Sequence, residues 1–294
     1  GRVALVTGGS RGIGRGIALG LAEDGANVVG NYRKDEAAAK ETVAAIEALG
    51  RRAKAFAGSV DSYDDCKALV DAAVAEFGFV DILVNNAGIA SRGNSVKNTD
   101  PLEFERVVRT HTFGPFYLSQ LVIPSMRTRS RGDIVMISSV ATLGMAGGGA
   151  PYNVGKAGME ALALTLAKEE KKHGIHVNIV APGLVETDMG VRLAKATMGV
   201  KDIRQLDAAM PFGRVCQPED IANAVRFLVS ERASYITGEK INVYGGGQAW
   251  GGEAVRGPRR ASSSRARRRG DPPSSCRRAP RPRCPRRRSA RACP

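Results

Sequence analysis

Short apolar runs alternate with longer stretches of helical periodicity over most of the chain. Seven runs rich in valine, isoleucine and alanine predict strands at residues 3–6, 27–32, 53–57, 81–85, 133–138, 176–181 and 240–244. Between them, apolar residues recur at helical spacing over residues 12–24, 36–49, 62–77, 101–126, 151–173 and 219–230. This order predicts a single α/β domain with a doubly wound parallel sheet of seven strands and helices on both faces. We expect ligands to bind beyond the carboxyl ends of its strands.

Residues 251–294 break this pattern. They contain 15 arginines, no lysine and only two acidic residues, so they carry most of the net charge of +15 and leave residues 1–250 close to neutral. A segment so poor in apolar side chains cannot offset its ordering entropy by burial. We therefore expect a folded domain at 1–250 and a disordered tail at 251–294. The tail resembles a GC-rich reading frame continued past a stop codon; the alternative is a basic arm for nucleic acid or an acidic surface, which we disfavour.

Apolar runs and cysteines bear on the compartment. No apolar run reaches the roughly 18 residues that a membrane span needs, and the chain starts in a predicted strand without a charged leader, so we expect neither a membrane segment nor a secretory signal. The five cysteines form no C-x-x-C pair, so we expect no disulfide framework and no metal site. These features predict a cytoplasmic protein.

A glycine-rich turn, Thr-Gly-Gly-Ser-Arg-Gly-Ile-Gly at 7–14, joins the first predicted strand to the first predicted helix. Such glycines let backbone amides approach a pyrophosphate at the positive end of the helix, although glycines also make ordinary tight turns. Its position between strand and helix favours a dinucleotide site of the Rossmann type. An NAD site would have a carboxylate at the end of the second strand, where this chain has Tyr32 and Arg33. Arg33 and Arg11 favour the 2′-phosphate of NADP(H), unless both simply face solvent.

Three further side chains suit proton transfer to a carbonyl oxygen. Tyr152 and Lys156 are four residues apart, so a helix places both on one face. A nearby ammonium lowers the pKa of a phenol, ordinarily about 10, which would let Tyr152 act as acid or base. The Ser139 hydroxyl can hold the substrate oxygen where charge develops. A lone Tyr-x-x-x-Lys is more often a solvated helix face, so this hypothesis depends on the other motifs.

Together the motifs resemble the short-chain dehydrogenase/reductase family over residues 1–248. The resemblance rests on the glycine-rich turn, on Asn-Asn-Ala-Gly at 85–88, on Ser139 with Tyr152 and Lys156, and on Pro-Gly at 182–183 followed by Thr187. It implies hydride transfer to or from nicotinamide C4, with Lys156 also bonding the nicotinamide ribose. The cofactor contacts that it implies are Gly8, Ser10, Arg11, Gly12, Ile13, Gly14, Tyr32, Arg33, Ser59, Val60, Asn86, Ala87, Gly88, Tyr152, Lys156, Pro182, Gly183, Val185 and Thr187.

Three positions depart from the family pattern. Ser59 stands where an Asp often binds adenine, and Gly155 replaces the Ser that often precedes the lysine; both are mild changes. His111 is more serious, because it stands where the family has a catalytic Asn that helps to hold a proton-relay water. Its imidazole would either take over the relay, adding an ionisation between about pH 5.5 and 7.5, or block it. We count His111 with Ser139, Tyr152 and Lys156 as a catalytic candidate.

Among family members the chain is most similar to the 3-oxoacyl-carrier-protein reductases and the related sugar and polyol dehydrogenases. We expect an NADP(H)-dependent oxidoreductase that interconverts a ketone and a secondary alcohol, with a small-molecule substrate that is free or linked to a carrier protein or CoA. The alternatives are a sugar or polyol dehydrogenase and a cofactor-binding member whose catalysis is weak because of His111.

Some surface features bear on partners. A basic run at Arg127, Arg129 and Arg131, with lysines at 171–172, could meet an acidic carrier protein or could merely complement helix dipoles. The family places a substrate lid over residues 183–212, whose apolar residues alternatively serve the core: Met189, Leu193, Met198 and Met210. The resemblance also implies a homotetramer or homodimer through the helices at 101–126 and 151–173.

Overall fold

A parallel sheet of seven strands forms the centre of the structure, a computed structural model that describes residues 1–246. Its strands are β1 (Val3–Val6), β2 (Asn27–Tyr32), β3 (Ala53–Ala57), β4 (Ile82–Asn85), β5 (Gly132–Ile137), β6 (Ile175–Pro182) and β7 (Lys240–Val243). Every neighbouring pair is parallel, and the order is β3-β2-β1-β4-β5-β6-β7. This confirms the predicted fold. The strand order reverses between β1 and β4, which opens a crevice at their carboxyl ends.

Nine α-helices connect the strands within residues 1–246. They are α1 (Gly12–Glu23), α2 (Glu36–Ala48), α3 (Tyr63–Phe77), α4 (Pro101–Val108), α5 (Gly114–Met126), α6 (Ala141–Gly144), α7 (Ala150–Glu170), α8 (Asp188–Met198) and α9 (Pro218–Leu228). Side-chain caps fix several starts: Asp35 accepts from the Ala38 amide at 3.1 Å before α2, and Ser62 accepts from the Asp65 amide at 3.3 Å before α3. No helix of this described part is long and apolar enough to cross a membrane.

Two apolar layers enclose the sheet because successive strand residues point to opposite faces. Val3 and Leu5 of β1 pack on one face with α3, α5 and α7, whereas Ala4 and Val6 pack on the other with α1, α2 and α9. Full burial of a side chain such as Leu5 contributes about 1.5–3 kcal/mol. The same alternation runs through β4, β5 and β6. The sheet is therefore a rigid base for the loops at its carboxyl edge.

The helix predicted at 101–126 differs from the observed structure. It consists of α4, a π-helical turn at Arg109–Phe113, and α5. Pro115, in the first turn of α5, has no amide hydrogen to donate to a preceding carbonyl, which disfavours an uninterrupted α-helix. Such π-turns are frequent at functional sites, and this one carries His111.

Other differences concern segments with weak patterns. Helices α6 and α8 were not predicted, nor were the 3₁₀ segments at Ile203–Ala209 and Pro211–Gly213. The helix predicted at 151–173 ends in a 3₁₀ turn at Lys171–His173, followed by Gly174 with φ of 72°. The predicted tail at 251–294 lies outside the described residues, so the division at residue 250 stays a prediction.

Candidate active site

The glycine-rich turn forms a cradle between β1 and α1. Gly8 and Gly12 have φ of 62° and 53°, which favour glycine. A Cβ on Gly14 would lie 2.1 Å from the Gly8 carbonyl oxygen and 2.5 Å from Asn86 Nδ2, so only glycine fits there. The Arg11 side chain makes no capping hydrogen bond to α1. The first-turn amides of α1 are thus free of a side-chain cap, and this arrangement suits the phosphates of a dinucleotide.

Two other turn residues support the cradle from below. The buried Ser10 accepts a hydrogen bond on its carbonyl oxygen from Thr42 Oγ1 at 3.1 Å, which ties the turn to α2. Ile13 packs its side chain into the apolar layer of α1, α2 and α9. Both residues therefore serve the predicted site through their backbone.

The strip at 86–88 is fixed to the same turn through Thr7. Thr7 Oγ1 accepts from the amides of Asn86 and Ala87, each at 2.9 Å, and Asn86 Nδ2 donates to the Thr7 carbonyl at 2.8 Å. Asn86 Nδ2 also lies 3.3 Å from the Gly8 carbonyl. The glycine-rich turn and the strip at 86–88 thus form one wall of the crevice, and Gly88 continues this wall toward His111.

Asn31 is a supporting residue that sequence reasoning missed. It lies buried in β2, accepts from the Gly8 amide at 3.3 Å and donates to the Gly58 carbonyl at 2.9 Å. The available signal was an Asn inside the strand, after Val28, Val29 and Gly30, because buried amides are nearly always hydrogen-bonded. Ser59 and Val60, two predicted cofactor contacts that follow Gly58, are also held in place. The Ser59 amide donates to Asp65 Oδ2 at 2.7 Å, and Val60 is buried.

The end of β2 carries the predicted phosphate contacts. Tyr32 is the last residue of β2, and Arg33 after it is exposed. Arg11 Nη1 lies 3.8 Å from both Asp35 and Asp188, with 60% of its side chain exposed. Such long, exposed ion pairs are weak, so the Arg11 guanidinium is available to an anion.

The segment after β6 closes the crevice from the opposite side. The Gly183 amide donates to the Val243 carbonyl at 2.9 Å, and Pro182 accepts on its carbonyl from the Val140 amide at 3.0 Å. Val185 is buried, and Thr187 Oγ1 caps α8 by accepting from an amide at 3.1 Å. A Cβ on Gly12 would lie 3.2 Å from Thr187 Cγ2, so this segment borders the glycine-rich turn.

Ser139, Tyr152 and Lys156 meet at the carboxyl end of β5. The Ser139 hydroxyl lies next to Tyr152, while Lys156 Nζ donates to the Ile137 carbonyl at 2.7 Å and lies 5.7 Å from the centre of the Tyr152 ring. Ser139 Oγ also accepts from the Ala141 amide at 3.2 Å, which fixes its orientation. The predicted catalytic group is therefore assembled.

The protonation of these groups differs from expectation in one respect. Burial raises the pKa of Tyr152, and the neighbouring Ser139 hydroxyl offsets only part of this rise. We had expected Lys156 to lower that pKa, but its ammonium is directed at the Ile137 carbonyl instead. Burial also lowers the pKa of Lys156 to about 7. Tyr152 therefore holds its proton in this state, as a proton donor must.

His111 lies directly behind Tyr152. Its ring meets the Tyr152 ring edge to face, with centres 5.1 Å apart and planes at 76°. Nε2 lies 2.8 Å from the Ile89 carbonyl oxygen and 3.3 Å from the Ile89 amide nitrogen, and Nδ1 is buried without a partner among the described residues. Burial, followed by the charge of Lys156, holds the pKa of His111 well below 6.5. A neutral imidazole is therefore favoured here, which argues against the first of the two alternatives, a relay through His111 with an ionisation between about pH 5.5 and 7.5.

Gly155 and Gly88 give the imidazole its space. A Cβ on Gly155 would lie 2.9 Å from His111 Cβ, and a Cβ on Gly88 would lie 2.7 Å from His111 Cε1. Thr112 Oγ1 also donates to the Gly155 carbonyl at 3.0 Å, which joins the π-turn to α7. The departure at 155 is thus part of the same contact as the departure at 111.

The predicted lid splits into two groups. Met198 and Met210 pack against a small cluster that includes Leu184 and Ile203, so they serve the core. Met189 and Leu193 instead leave 36% and 48% of their surface exposed on and beside α8. Of the four apolar residues singled out in the sequence, these two are available to a ligand.

With the fold and site in place, comparison with known proteins gives a consistent result. Residues 8–248 match the family described as enoyl-(acyl carrier protein) reductase. The chain is 41% identical over 243 residues to 3-oxoacyl-[acyl-carrier-protein] reductase FabG of Staphylococcus aureus (strain Mu50), covering 83% of this chain and 96% of that protein. It is 40% identical over 248 residues to the Escherichia coli (strain K12) protein of the same name, covering 84% and 97%.

Solved structures agree. A Sinorhizobium meliloti 1021 protein described as a short-chain alcohol dehydrogenase superposes with a TM-score of 0.77 at 36% identity, covering 84% of this chain and 96% of that one. Levodione reductase superposes with a TM-score of 0.78 at 29% identity, covering 83% and 96%. The chain belongs to the short-chain dehydrogenase/reductase family. It is an oxidoreductase, and its relatives support a carbonyl reductase within that family.

Proposed function

We propose that this protein is an NADP(H)-dependent carbonyl reductase that converts the ketone of a 3-oxoacyl thioester to a secondary alcohol. The observation that carries the proposal is the grouping of Ser139 and Tyr152 with the buried Lys156, whose Nζ lies 5.7 Å from the Tyr152 ring centre, beside the crevice that the glycine cradle borders. The cradle fits a dinucleotide because glycine leaves its centre free of side chains. When bound, the nicotinamide supplies the hydride.

The side chains provide the complementary proton. Ser139 would donate a hydrogen bond to the carbonyl oxygen as negative charge develops there. Tyr152 would transfer its proton to that oxygen, so that the C=O π bond breaks while a C–H and an O–H bond form. Once Tyr152 has lost its proton, the Lys156 ammonium, which donates to the Ile137 carbonyl while Tyr152 is protonated, would stabilise the phenolate through space until it is reprotonated. His111 remains neutral and holds the Ile89 backbone beside this group.

Preference for NADP(H) is supported by the residues that follow β2. Arg33 is exposed immediately after the strand, and Arg11 approaches from the glycine-rich turn. Asp35, the nearest acid in sequence, caps α2 by accepting from the Ala38 amide. That role favours the two guanidinium groups as the contacts of a 2′-phosphate.

A thioester with an apolar chain is favoured by the residues around the crevice. Several exposed apolar side chains follow β5 and β6, and two of them have left-handed backbones that are uncommon outside glycine. They are Leu143, Met145 (φ 44°), Met189, Leu193 and Phe212 (φ 61°). Phe212 is 89% exposed. Such a rim suits an acyl chain better than a sugar, and flexible methionines adapt to different chain lengths.

Fewer basic residues are available to bind an acidic carrier protein than the sequence indicated. Arg127 pairs with Glu170 at 2.6 Å and Arg129 with Asp81 at 2.9 Å, so their charges are largely offset. Arg131 likewise pairs with Asp133 at 3.0 Å. Exposed lysines at 171–172 remain to attract an acidic carrier protein.

We also propose a homotetramer or homodimer built on the helices around the π-turn. Large apolar side chains there are substantially exposed in the single chain: Phe104, Phe113, Phe116, Val154 and Leu164. Apolar surface of this kind marks protein interfaces. Light scattering of the full chain measures the assembly.

Free Cys66 and Cys216 are consistent with a reducing compartment, and we place the protein in the cytoplasm.

A screen of NADPH oxidation tests the function directly. The full chain is assayed with acetoacetyl thioesters, diketones, ketosteroids and sugars at equal concentration. We expect the highest kcat/KM with acetoacetyl thioesters. A preference for sugars would support the polyol dehydrogenase alternative, and NADPH binding without oxidation of any carbonyl would contradict the proposed enzyme.

A further inference from the structure

A polar cluster lies behind the catalytic serine, and none of the motifs in the sequence pointed to it. We call Ser138, Thr142, Glu160 and Lys240 the Glu160 cluster. Ser138 Oγ donates to Glu160 Oε1 at 2.5 Å, and Lys240 Nζ lies 2.7 Å from the same oxygen. Thr142 Oγ1 lies 2.9 Å from Glu160 Oε1 and accepts from Lys240 Nζ at 2.7 Å. The cluster joins the turn after β5 to α7 and β7.

This cluster holds the segment that carries Ser139. Ser138 immediately precedes the catalytic serine, and Thr142 Oγ1 lies 2.8 Å from the Ser139 carbonyl oxygen. The Ser138 amide also donates to the Val180 carbonyl at 2.8 Å, so β6 fixes the backbone while Glu160 fixes the side chains. A hydroxyl that must meet a developing oxyanion benefits from such preorganisation.

Glu160 also lies one helical turn after Lys156. The carboxylate side chain is only 17% exposed, so its charge is weakly screened. The charge of Glu160 raises the pKa of Lys156, against the larger lowering that burial causes. The carboxylate therefore favours the ammonium form that the phenolate of Tyr152 requires.

The other groups around Lys156 do not supply this charge. On α7, Tyr152 is protonated because burial raises its pKa; from the π-turn, His111 is neutral. From β5, only the Ile137 carbonyl approaches, at 2.7 Å. Lys240 of β7 acts through its ion pair with Glu160. Among the described residues, Glu160 is thus the anion that acts on Lys156.

We propose that Glu160 is a positioning residue for the reduction: its carboxylate fixes the turn that presents Ser139, and it is the acidic residue of α7 nearest in sequence to Lys156, one helical turn away. This inference rests on the proposed function, because Lys156 and Ser139 act in the reaction described above. It concerns a carboxylate that makes no contact with the reacting oxygen.

The first test compares pH profiles of kcat in the full chain, using the best carbonyl substrate from the screen. The ammonium form of Lys156 is present below its pKa, so activity is lost as pH rises through that value. Glu160→Gln lowers that pKa, and we expect the alkaline limb to move down by about 0.5 to 1 pH unit. We expect kcat at neutral pH to fall about tenfold while KM changes less than about twofold.

Lys240→Met should shift the alkaline limb of the kcat profile in the opposite direction. It removes the positive charge beside Glu160, so the carboxylate acts more strongly on Lys156 and the alkaline limb moves up. Glu169→Gln is the matched control: Glu169 is an exposed glutamate of the same helix, and its profile should superimpose on the parent's. A merely structural role would not produce shifts of opposite sign in the two cluster variants.

A second readout needs no turnover. In protein labelled with ¹³C at the lysine ε-carbon, the Lys156 signal, assigned with Lys156→Arg, should titrate at lower pH in Glu160→Gln than in the parent. Should Glu160→Gln fail to fold by its melting curve, Lys240→Met provides the same comparison with reversed sign. Lack of turnover in the parent contradicts the proposed function alone. Unchanged titration of Lys156 in the folded variants contradicts the inference about Glu160.

Discussion

The two halves of the crevice follow the family pattern to different degrees. The cofactor half, formed by the turn at 7–14 and the strip at 86–88, has the expected glycines, and the Thr7 and Asn86 side chains join its two segments by hydrogen bonds to backbone groups. The catalytic half, formed by Ser139, Tyr152, Lys156 and His111, contains the departures at 111 and 155. Backbone geometry leaves a cradle few alternatives, whereas side-chain packing between two helices tolerates a replacement when a neighbour provides space.

Deletion of the Tyr152 hydroxyl should distinguish the catalytic half from the cofactor half most clearly. Tyr152→Phe deletes the proton donor and leaves the cradle intact, so turnover should fall by about 10²- to 10⁴-fold while NADPH affinity stays nearly constant. NADPH oxidation and fluorescence titration measure the two effects. Tyr235→Phe is the matched control, because Tyr235 is fully exposed. Turnover within tenfold of the parent in Tyr152→Phe would remove Tyr152 from the mechanism.

A charge reversal tests the cofactor half alone. Arg33→Asp replaces a phosphate contact of roughly 1.5–3 kcal/mol with a repulsion, so the preference for NADPH over NADH should fall by at least about tenfold. Ratios of kcat/KM for the two cofactors provide the measurement. Lys34→Asp makes the same charge change at the next exposed residue and should have a smaller effect. Equal ratios in parent and Arg33→Asp would show that Arg33 faces solvent.

A single methyl group tests the contact between helices in the catalytic half. Gly155→Ala places a Cβ 2.9 Å from His111 Cβ, so we expect a destabilisation of about 1–3 kcal/mol together with reduced kcat. Gly147→Ala is the control, because a Cβ at Gly147 would meet open space. Chemical denaturation measures both variants. Equal destabilisation in the two would mean that the loss reflects glycine replacement in general rather than the contact with His111.

We expect the ionisation of His111 to affect the pH dependence of the free energy of unfolding rather than the pH dependence of turnover. Its folded pKa is well below 6.5, whereas the unfolded side chain binds a proton near 6.5. Below pH 6.5 the unfolded state therefore binds more protons than the folded state. As pH falls from 6.5 to the lower folded pKa of His111, the free energy of unfolding of the parent should decrease by up to about 1.4 kcal/mol per pH unit. His111→Asn should lack this slope while retaining turnover within about tenfold. Identical slopes in both proteins would contradict burial of a neutral imidazole.

The smallest effect concerns the carrier. Lys171→Glu combined with Lys172→Glu should raise KM several-fold for a carrier-linked substrate and leave a CoA-linked one unchanged, because rim charges chiefly alter encounter rates. Assays at low and high salt provide the comparison. Equal changes for both substrates would place the carrier elsewhere.

Much of this molecule could be predicted from local pattern. The bounds of β1, β2 and β3 agree residue for residue, because each strand is a short apolar run between turn residues. The glycine-rich turn and the Tyr152–Lys156 pair were equally local. The contacts that were missed join distant residues: Asn31 with Gly58, and Lys156 with the Ile137 carbonyl.

The direction of the Tyr152 pKa could not be predicted either. Spacing along a helix shows that Lys156 is near Tyr152, but burial and the direction of the ammonium depend on the packed fold. The π-turn at Arg109–Phe113 has the same origin, since its sequence also suits an ordinary helix. A sequence pattern shows which residues share one face of a helix or strand, but it does not show which residues that face contacts in the folded protein.

The bond from Lys240 to Thr142 spans 98 residues of sequence and has a consequence for the order of synthesis. Chains emerge from the ribosome with the amino end first, so the turn beside Ser139 is made long before the strand that supplies Lys240. Until β7 joins the edge of the sheet, Glu160 lacks its lysine and the serine turn lacks its final constraint. The turn beside Ser139 should therefore reach its final position only when almost the whole domain has been released.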